Sequence, residues 1–164
     1  MWNLVAGASV NWGVIWAAFG AALVTILAGT GSAIGVGRAG QAAAGVVAET
    51  PEKFSKVLLL ELLPGSQGIY GLIIAFLILV NSGVLGGDVS TLTAGAGFAY
   101  FISSLPCAGG CLTSAIHQGK VASSAIALVG KREEGFGSGM TLTLMVETYA
   151  LFSFLVSLLI VVNI

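Results

Sequence analysis

Charged side chains are scarce in this chain: six Lys or Arg and seven Asp or Glu make up 8% of its 164 residues, against about a quarter in ordinary soluble domains. A soluble domain of this length could not cover its surface with so few, and a mean hydropathy of +1.03 points to a polytopic membrane protein with little outside the bilayer. The formal net charge of −1 supplies no basic surface, so nucleic acid is excluded as a partner. Histidine occurs once and cysteine twice. Cys107 and Cys111 lie four apart in an apolar run with no His or acid cluster beside them, a poor metal site, and are read as small packing residues. The opening stretch MWNLVAGASVNWGVIW lacks both a basic leader and a small-residue cleavage site. It reads as the first membrane span, not as a removed signal peptide. The glycine-rich run Gly29 to Gly37 has no Gly-Lys-Ser or Gly-Lys-Thr and follows no strand, which excludes a phosphate-binding loop and leaves close helix packing through small residues. No catalytic nucleophile and no ATP site is visible.

What the chain has instead is four long stretches without charge: Asn11 to Gly37, Leu62 to Gly87, Val89 to Gly119 and, Glu147 apart, the residues after Glu134 to Ile164. Each exceeds the roughly 20 residues needed to cross a bilayer. Short connections join them, containing Ala48–Lys56, Asn81–Ser90 and Gly130–Gly135. All six basic residues (Arg38, Lys53, Lys56, Lys120, Lys131 and Arg132) lie at or near the first and third connections. The positive-inside rule therefore places loops 48–56 and 129–137 in the cytoplasm and both termini and Asp88 on the opposite side.

The sequence also repeats. A shift of 82 residues, half of 164, superimposes Ser32-Ala33-Ile34 on Ser114-Ala115-Ile116, Gly37-Arg38 on Gly119-Lys120, Phe54 on Phe136, Leu77-Ile78 on Leu159-Ile160 and Val80-Asn81 on Val162-Asn163. No gap is needed. The expected fold is all-α: four transmembrane helices arranged as two tandem duplicated hairpins in parallel orientation. The first, 1–82, has spans near 11–47 and 55–82; the second, 83–164, has spans near 92–128 and 138–163.

Glu147 is the one charged side chain between Ser138 and Ile164. Helix rise sets it about 14 Å in from Ser138, near the middle of a hydrocarbon core of about 30 Å. A carboxylate there costs at least about 2.5 kcal/mol on insertion scales, so it points to function. Its repeat mate is Gly65, inside Leu62-Leu63-Pro64-Gly65-Ser66-Gln67-Gly68-Ile69-Tyr70. Pro64 and Gly65 are expected to break the second helix and free backbone carbonyls that a cation can satisfy. Leu63, Ser66, Gln67 and Tyr70 fall on one helical stripe and offer a carbonyl, a hydroxyl, an amide and a phenol. Gln118 adds a second amide from the third span. This all-oxygen set suits a small hard cation, and a single carboxylate makes a monovalent ion a better match than Ca²⁺, since the loaded site is then neutral. His117 points about 100° from Gln118 and is read as a packing or interface residue. Glu61, within two turns of the cytoplasmic end of the second span, either reaches the interface or adds negative potential near the site.

Pro51–Phe54 (PEKF), Leu62–Gly71 (LLPGSQGIYG), Gln118–Lys120 (QGK) and Met145–Ala150 (MVETYA), in this order and spacing, closely resemble the K subunit of bacterial sodium-translocating V-type ATPases. That protein is the four-helix relative of the two-helix rotor proteolipid of F-type synthases. The resemblance implies a membrane rotor made of a homo-oligomeric ring of identical subunits, non-catalytic, with ATP hydrolysed in other subunits. It implies a bacterial cell membrane, a membrane stator subunit bearing an arginine, and central-stalk subunits as further partners. It identifies Glu147 with the family's ion-binding glutamate, and Leu63 (through its carbonyl), Ser66, Gln67 and Gln118 with the other Na⁺ ligands. Tyr70 corresponds to the tyrosine that hydrogen-bonds the glutamate, and Pro64 and Gly65 support the site. No cofactor is implied beyond the transported Na⁺. Glu61 and His117 depart from the family pattern, which has uncharged residues there. Two alternatives remain at this level: the same rotor carrying H⁺, and a small secondary transporter or oligomeric pore.

Overall fold

A computed structural model describes residues 10–164, and within them every regular element is helical. For its first nine residues, the reading of the opening stretch as the first span lies outside the described residues. Five α-helices, α1 (Trp12–Glu49), α2 (Phe54–Leu62), α3 (Ser66–Asn81), α4 (Ala94–Lys131) and α5 (Phe136–Val161), are joined by 3₁₀ turns at Pro51–Lys53, Leu63–Gly65 and Glu133–Gly135. Together they give four segments long and apolar enough to cross a membrane, because α2, the turn at Leu63–Gly65 and α3 run on as one segment. The protein is thus a multi-pass membrane protein of two helical hairpins.

The repeat governs local structure to the residue. Adding 82 to the bounds of α1 gives the bounds of α4; adding it to Pro51–Lys53 gives Glu133–Gly135, and adding it to the start of α2 gives the start of α5. Both long helices are capped by a short polar side chain: Asn11 Oδ1 accepts from Val14 N at 3.2 Å and Thr93 Oγ1 accepts from Ala96 N at 3.2 Å, which satisfies one of the unpaired donors at each helix start. Asn11 also donates to Val89 O at 2.9 Å and ties the start of α1 to the connection between hairpins.

Small residues decide how the hairpins meet. A Cβ added to Gly20 would lie 2.8 Å from Phe101 Cα, and one added to Gly31 would lie 2.8 Å from Leu112 Cα. Without a hydrophobic drive in lipid, backbones approach this closely only where side chains are absent. Gly35 and Gly119 face each other in the same seam. α3 and α5 pack alongside this pair and turn Ile69, Leu72, Phe76, Met145, Phe152 and Leu155 outward, as expected of surfaces that meet lipid. Cys107 and Cys111 are fully buried free thiols, their Sγ atoms 3.6 Å apart, within the core that also holds Val24, Ile74 and Ile78.

The first and third connections lie at the same end of the bundle. Lys53 donates to Gly130 O at 2.7 Å, and Lys56 pairs with Glu133. At the opposite end, the Asp88 carboxyl is held below the usual carboxylate range by the backbone N–H and then the hydroxyl of Ser90.

Candidate ion-binding site

As expected, Pro64 and Gly65 interrupt the second membrane helix, but only for one turn: α2 ends at Leu62, Leu63–Gly65 tighten to 3₁₀ geometry, and α3 begins at Ser66. Leu62, Leu63, Gly65 and Ser66 all keep right-handed helical dihedrals. The Ser32 hydroxyl, reaching across from α1, accepts from Gly68 N at 2.7 Å and donates to Gly65 O at 3.4 Å. Leu63 O accepts from both the backbone N–H and the hydroxyl of Ser66, the latter at 2.9 Å. The tight turn leaves Ser66, Gln67 and Tyr70 aimed toward α4 and α5.

Glu147 sits near the centre of α5 and is 8% exposed. Its Oε1 accepts from Tyr70 Oη at 2.7 Å and its Oε2 accepts from Gln118 Nε2 at 3.3 Å. Gln118 Nε2 also donates to Thr143 O at 3.2 Å, while Gln118 Oε1 accepts from Gln67 Nε2 at 2.5 Å. Gln67 Oε1 in turn accepts from the Ser66 hydroxyl at 3.3 Å. Gln67 and Gln118 are fully buried. Six of the residues singled out from sequence (Glu147, Gln67, Gln118, Ser66, Leu63 and Tyr70) therefore form one connected network that spans three of the four membrane segments. Pro64 and Gly65 line the turn that presents it. Glu61 and His117 are not members.

Three residues of the network were missed by sequence reasoning. Ser114 accepts from Gln67 Nε2 at 3.4 Å and donates to Val146 O at 2.9 Å. Thr143 contributes the carbonyl that receives Gln118, and Ser32 braces the Pro64 turn. A signal for two of them was present: Ser114 stands four residues before Gln118 and Thr143 four before Glu147, so each shares a helix face with a site residue.

Among the described residues, no buried side-chain nitrogen or oxygen lacks a hydrogen-bond partner, and no three His, Cys, Asp or Glu gather as transition-metal ligands would. What the cluster presents is oxygen: a carboxylate, two amides, hydroxyls and a backbone carbonyl. The phenol of Tyr70 is itself steadied by Phe154, ring centroids 5.1 Å apart.

Two tandem segments of the chain, residues 19–78 and 94–160, match the family model of the ATP synthase C-subunit. The chain belongs to the ATP synthase C-subunit family. Each match covers one hairpin, so the duplication seen in sequence and in helix bounds is a duplication of the family's two-helix unit. Among relatives, the V-type sodium ATPase subunit K of Enterococcus hirae is 45% identical over 153 residues, 93% of this chain and 94% of that protein. The A-type ATP synthase subunit K of Methanocaldococcus jannaschii is 36% identical over 151 residues, 92% of this chain, which spans only 64% of that longer protein. As a member of the C-subunit family, the chain is a non-catalytic, ion-translocating component of a membrane rotor ring, and ATP hydrolysis belongs to other subunits.

Proposed function

We propose that this chain is the rotor subunit of a Na⁺-translocating V-type ATPase and carries one Na⁺ on Glu147. The observation that supports this most is the Gln67–Gln118 amide pair beside the carboxylate. A proton needs the carboxyl group alone, whereas Na⁺ needs several oxygens in place of its water. Glu147, Gln67 Oε1, Gln118 Oε1, the Ser66 hydroxyl and Leu63 O would hold the ion, with Tyr70 keeping the carboxylate turned inward. The 45% identity to a sodium-pump subunit supports the same reading.

The mechanism follows from the cost of charge in hydrocarbon. With Na⁺ bound the site is neutral and crosses lipid; without it the carboxylate must meet a counter-charge. An arginine on a membrane stator subunit supplies that charge where Na⁺ leaves. The basic loops 48–56 and 129–137 share one end of the bundle and face the cytoplasm of a bacterial cell, where they meet central-stalk subunits. Both termini lie on the outer side. ATP hydrolysis in the soluble sector turns the ring, and each Glu147 loads Na⁺ on one access path and releases it on the other.

The test is protection of Glu147 from carbodiimide modification in the purified ring, at a pH where the carboxyl is labelled in the absence of Na⁺. Na⁺ should protect and K⁺ should not. Equal labelling with and without Na⁺ would reassign the rotor to protons. Ion flux through liposomes containing the isolated protein would instead indicate a pore or secondary transporter.

A further inference from the structure

Glu61 and His117 are ionisable residues of the spans that the ion site does not use, and the internal repeat brings them together between copies. The contact between the two hairpins of one chain is asymmetric. On α1 the buried stripe is Gly13, Ala17, Gly20, Val24, Gly31 and Gly35; it packs against a buried stripe of α4 that includes Ser104, Ala108, Cys111, Ala115, Gly119 and Ala122. Each stripe has a repeat mate 82 residues away, and every mate is open. The mates of the α4 stripe are Ala22, Ile26, Gly29, Ala33, Gly37 and Gly40, all exposed or half-exposed on α1; Gly29 and Gly37 have no atom within 4 Å of an added Cβ. The mates of the α1 stripe include Ile102, Thr113 and His117, all exposed on α4. Each chain thus carries one made contact and the two unmade halves of the same contact.

The occupant that fits both halves is a second copy of this chain, placed by repeating the hairpin-to-hairpin step. The register comes from the contact already made. Gly35 lies against Ala115 O and Gly119, so its mate His117 meets the mates of those residues, Ala33 and Gly37, on the next copy. One turn along that open stripe is Gly40, and the carboxylate of Glu61 lies over it, Oε1 being 2.8 Å from where a Cβ would stand. Gly37 and Gly40 are separated by about 4.5 Å along the helix, within the reach of an imidazole. Glu61 is the mate of Thr143, which is fully buried. His117 in turn borders an open groove of about 270 Å³ lined by Thr113, Ser114, Val146 and Tyr149, so its ring has room to turn toward the neighbour. Among the described residues the one ion pair is Lys56–Glu133; it involves neither residue. The remaining charged groups nearby, Arg38 on α1 and Lys120 on α4, are exposed.

We propose that in the assembled ring the His117 imidazole of each copy packs against Ala33 and Gly37 of the next copy and donates a hydrogen bond to its Glu61 carboxylate, joining adjacent copies close to the level of the ion site. This rests on the rotor-ring reading. Glu61 and His117 are then a single feature, an intersubunit pair in which each residue answers the other. In a membrane, a carboxylate and an imidazole left apart would each lack a partner; together they satisfy one another.

The test is cross-linking in intact rings. The variant carrying both Glu61→Cys and His117→Cys, treated with a short bis-methanethiosulfonate reagent, should give a ladder of covalent multimers on a denaturing gel, while each single variant stays monomeric. Rings that are seen by native mass spectrometry but yield no ladder overturn the pairing, as does a ladder from His117→Cys alone. Absence of any ring from the unaltered chain would instead fail the rotor reading itself. As a second measurement, His117→Ala and Glu61→Gln should each lower the temperature at which rings dissociate on a native gel. The exchanged pair, Glu61→His with His117→Glu, should recover most of the loss. Losses that simply add in the exchanged pair overturn the proposal.

Discussion

Replacing Gln118 by Leu isolates what the amide pair contributes, because the two side chains are close in volume and the site is buried. Gln118 makes three contacts, to Glu147 Oε2, to Thr143 O and from Gln67 Nε2. Leucine removes all three and leaves Gln67 Nε2 with only its longer bond to Ser114 at 3.4 Å. Whether the amide meets the carboxylate through its N–H or the cation through its oxygen, its partner is charged, and such a bond is worth about 1.5–3 kcal/mol. At 1.4 kcal/mol per tenfold, Na⁺ binding should weaken by about 10- to 150-fold. The assay is the Na⁺ concentration that half-protects Glu147 from carbodiimide, read as the mass shift of the labelled protein in intact rings. Labelling without Na⁺ serves as the control that the carboxyl remains reachable. A half-protecting concentration within twofold of the unaltered ring, with the ring still assembled, would refute the role given to the amide pair. It would also reopen proton transport as the better reading.

Two further predictions concern parts of the frame. Ser32→Ala removes the hydroxyl that serves Gly68 N and Gly65 O, leaving backbone groups bare in hydrocarbon at about 1–3 kcal/mol apiece; the rings should dissociate at a lower temperature, and unchanged stability would refute the bracing role. In native rings Cys107 and Cys111, both fully buried, should resist a membrane-permeant maleimide and react only after denaturation, which peptide mass mapping would detect; labelling in the native ring would contradict the packing of α4 against α1 and α5.

The fold was largely legible from sequence because its determinants are coarse and repeated. Four uncharged runs set the number of spans, and the 82-residue shift that aligned Phe54 with Phe136 in sequence also relates the starts of α2 and α5. The heart of the site was legible for a different reason: polar side chains in a hydrocarbon slab stand out singly, as Glu147, Gln67 and Gln118 do. Ser32, Ser114 and Thr143 escaped notice because a serine or threonine in a membrane helix can satisfy its hydroxyl on its own backbone, as Thr143 does on Gly139 O, and so carries no sign of a partner on another helix. The interruption at Pro64 could be read from the sequence, but not the hydroxyl of Ser32 on α1 that braces the turn at Gly65 O and Gly68 N. His117 could be read only as a packing or interface residue; the surface it faces emerged from knowing which mates of the repeat are covered.

The seam between α1 and α4 has a mechanical side. Each helix has 38 residues and so extends about 57 Å, well beyond a hydrocarbon core of about 30 Å. Gly20, Gly31, Gly35 and Gly119 bring their backbones into direct contact, so neither helix can slide along the other without collision of main-chain atoms. At the basic end, Lys53 and Lys56 clasp the third connection. The pair therefore behaves as a single stiff shaft whose projecting end turns with the buried carboxylate. Twist applied outside the bilayer reaches Glu147 with little elastic lag.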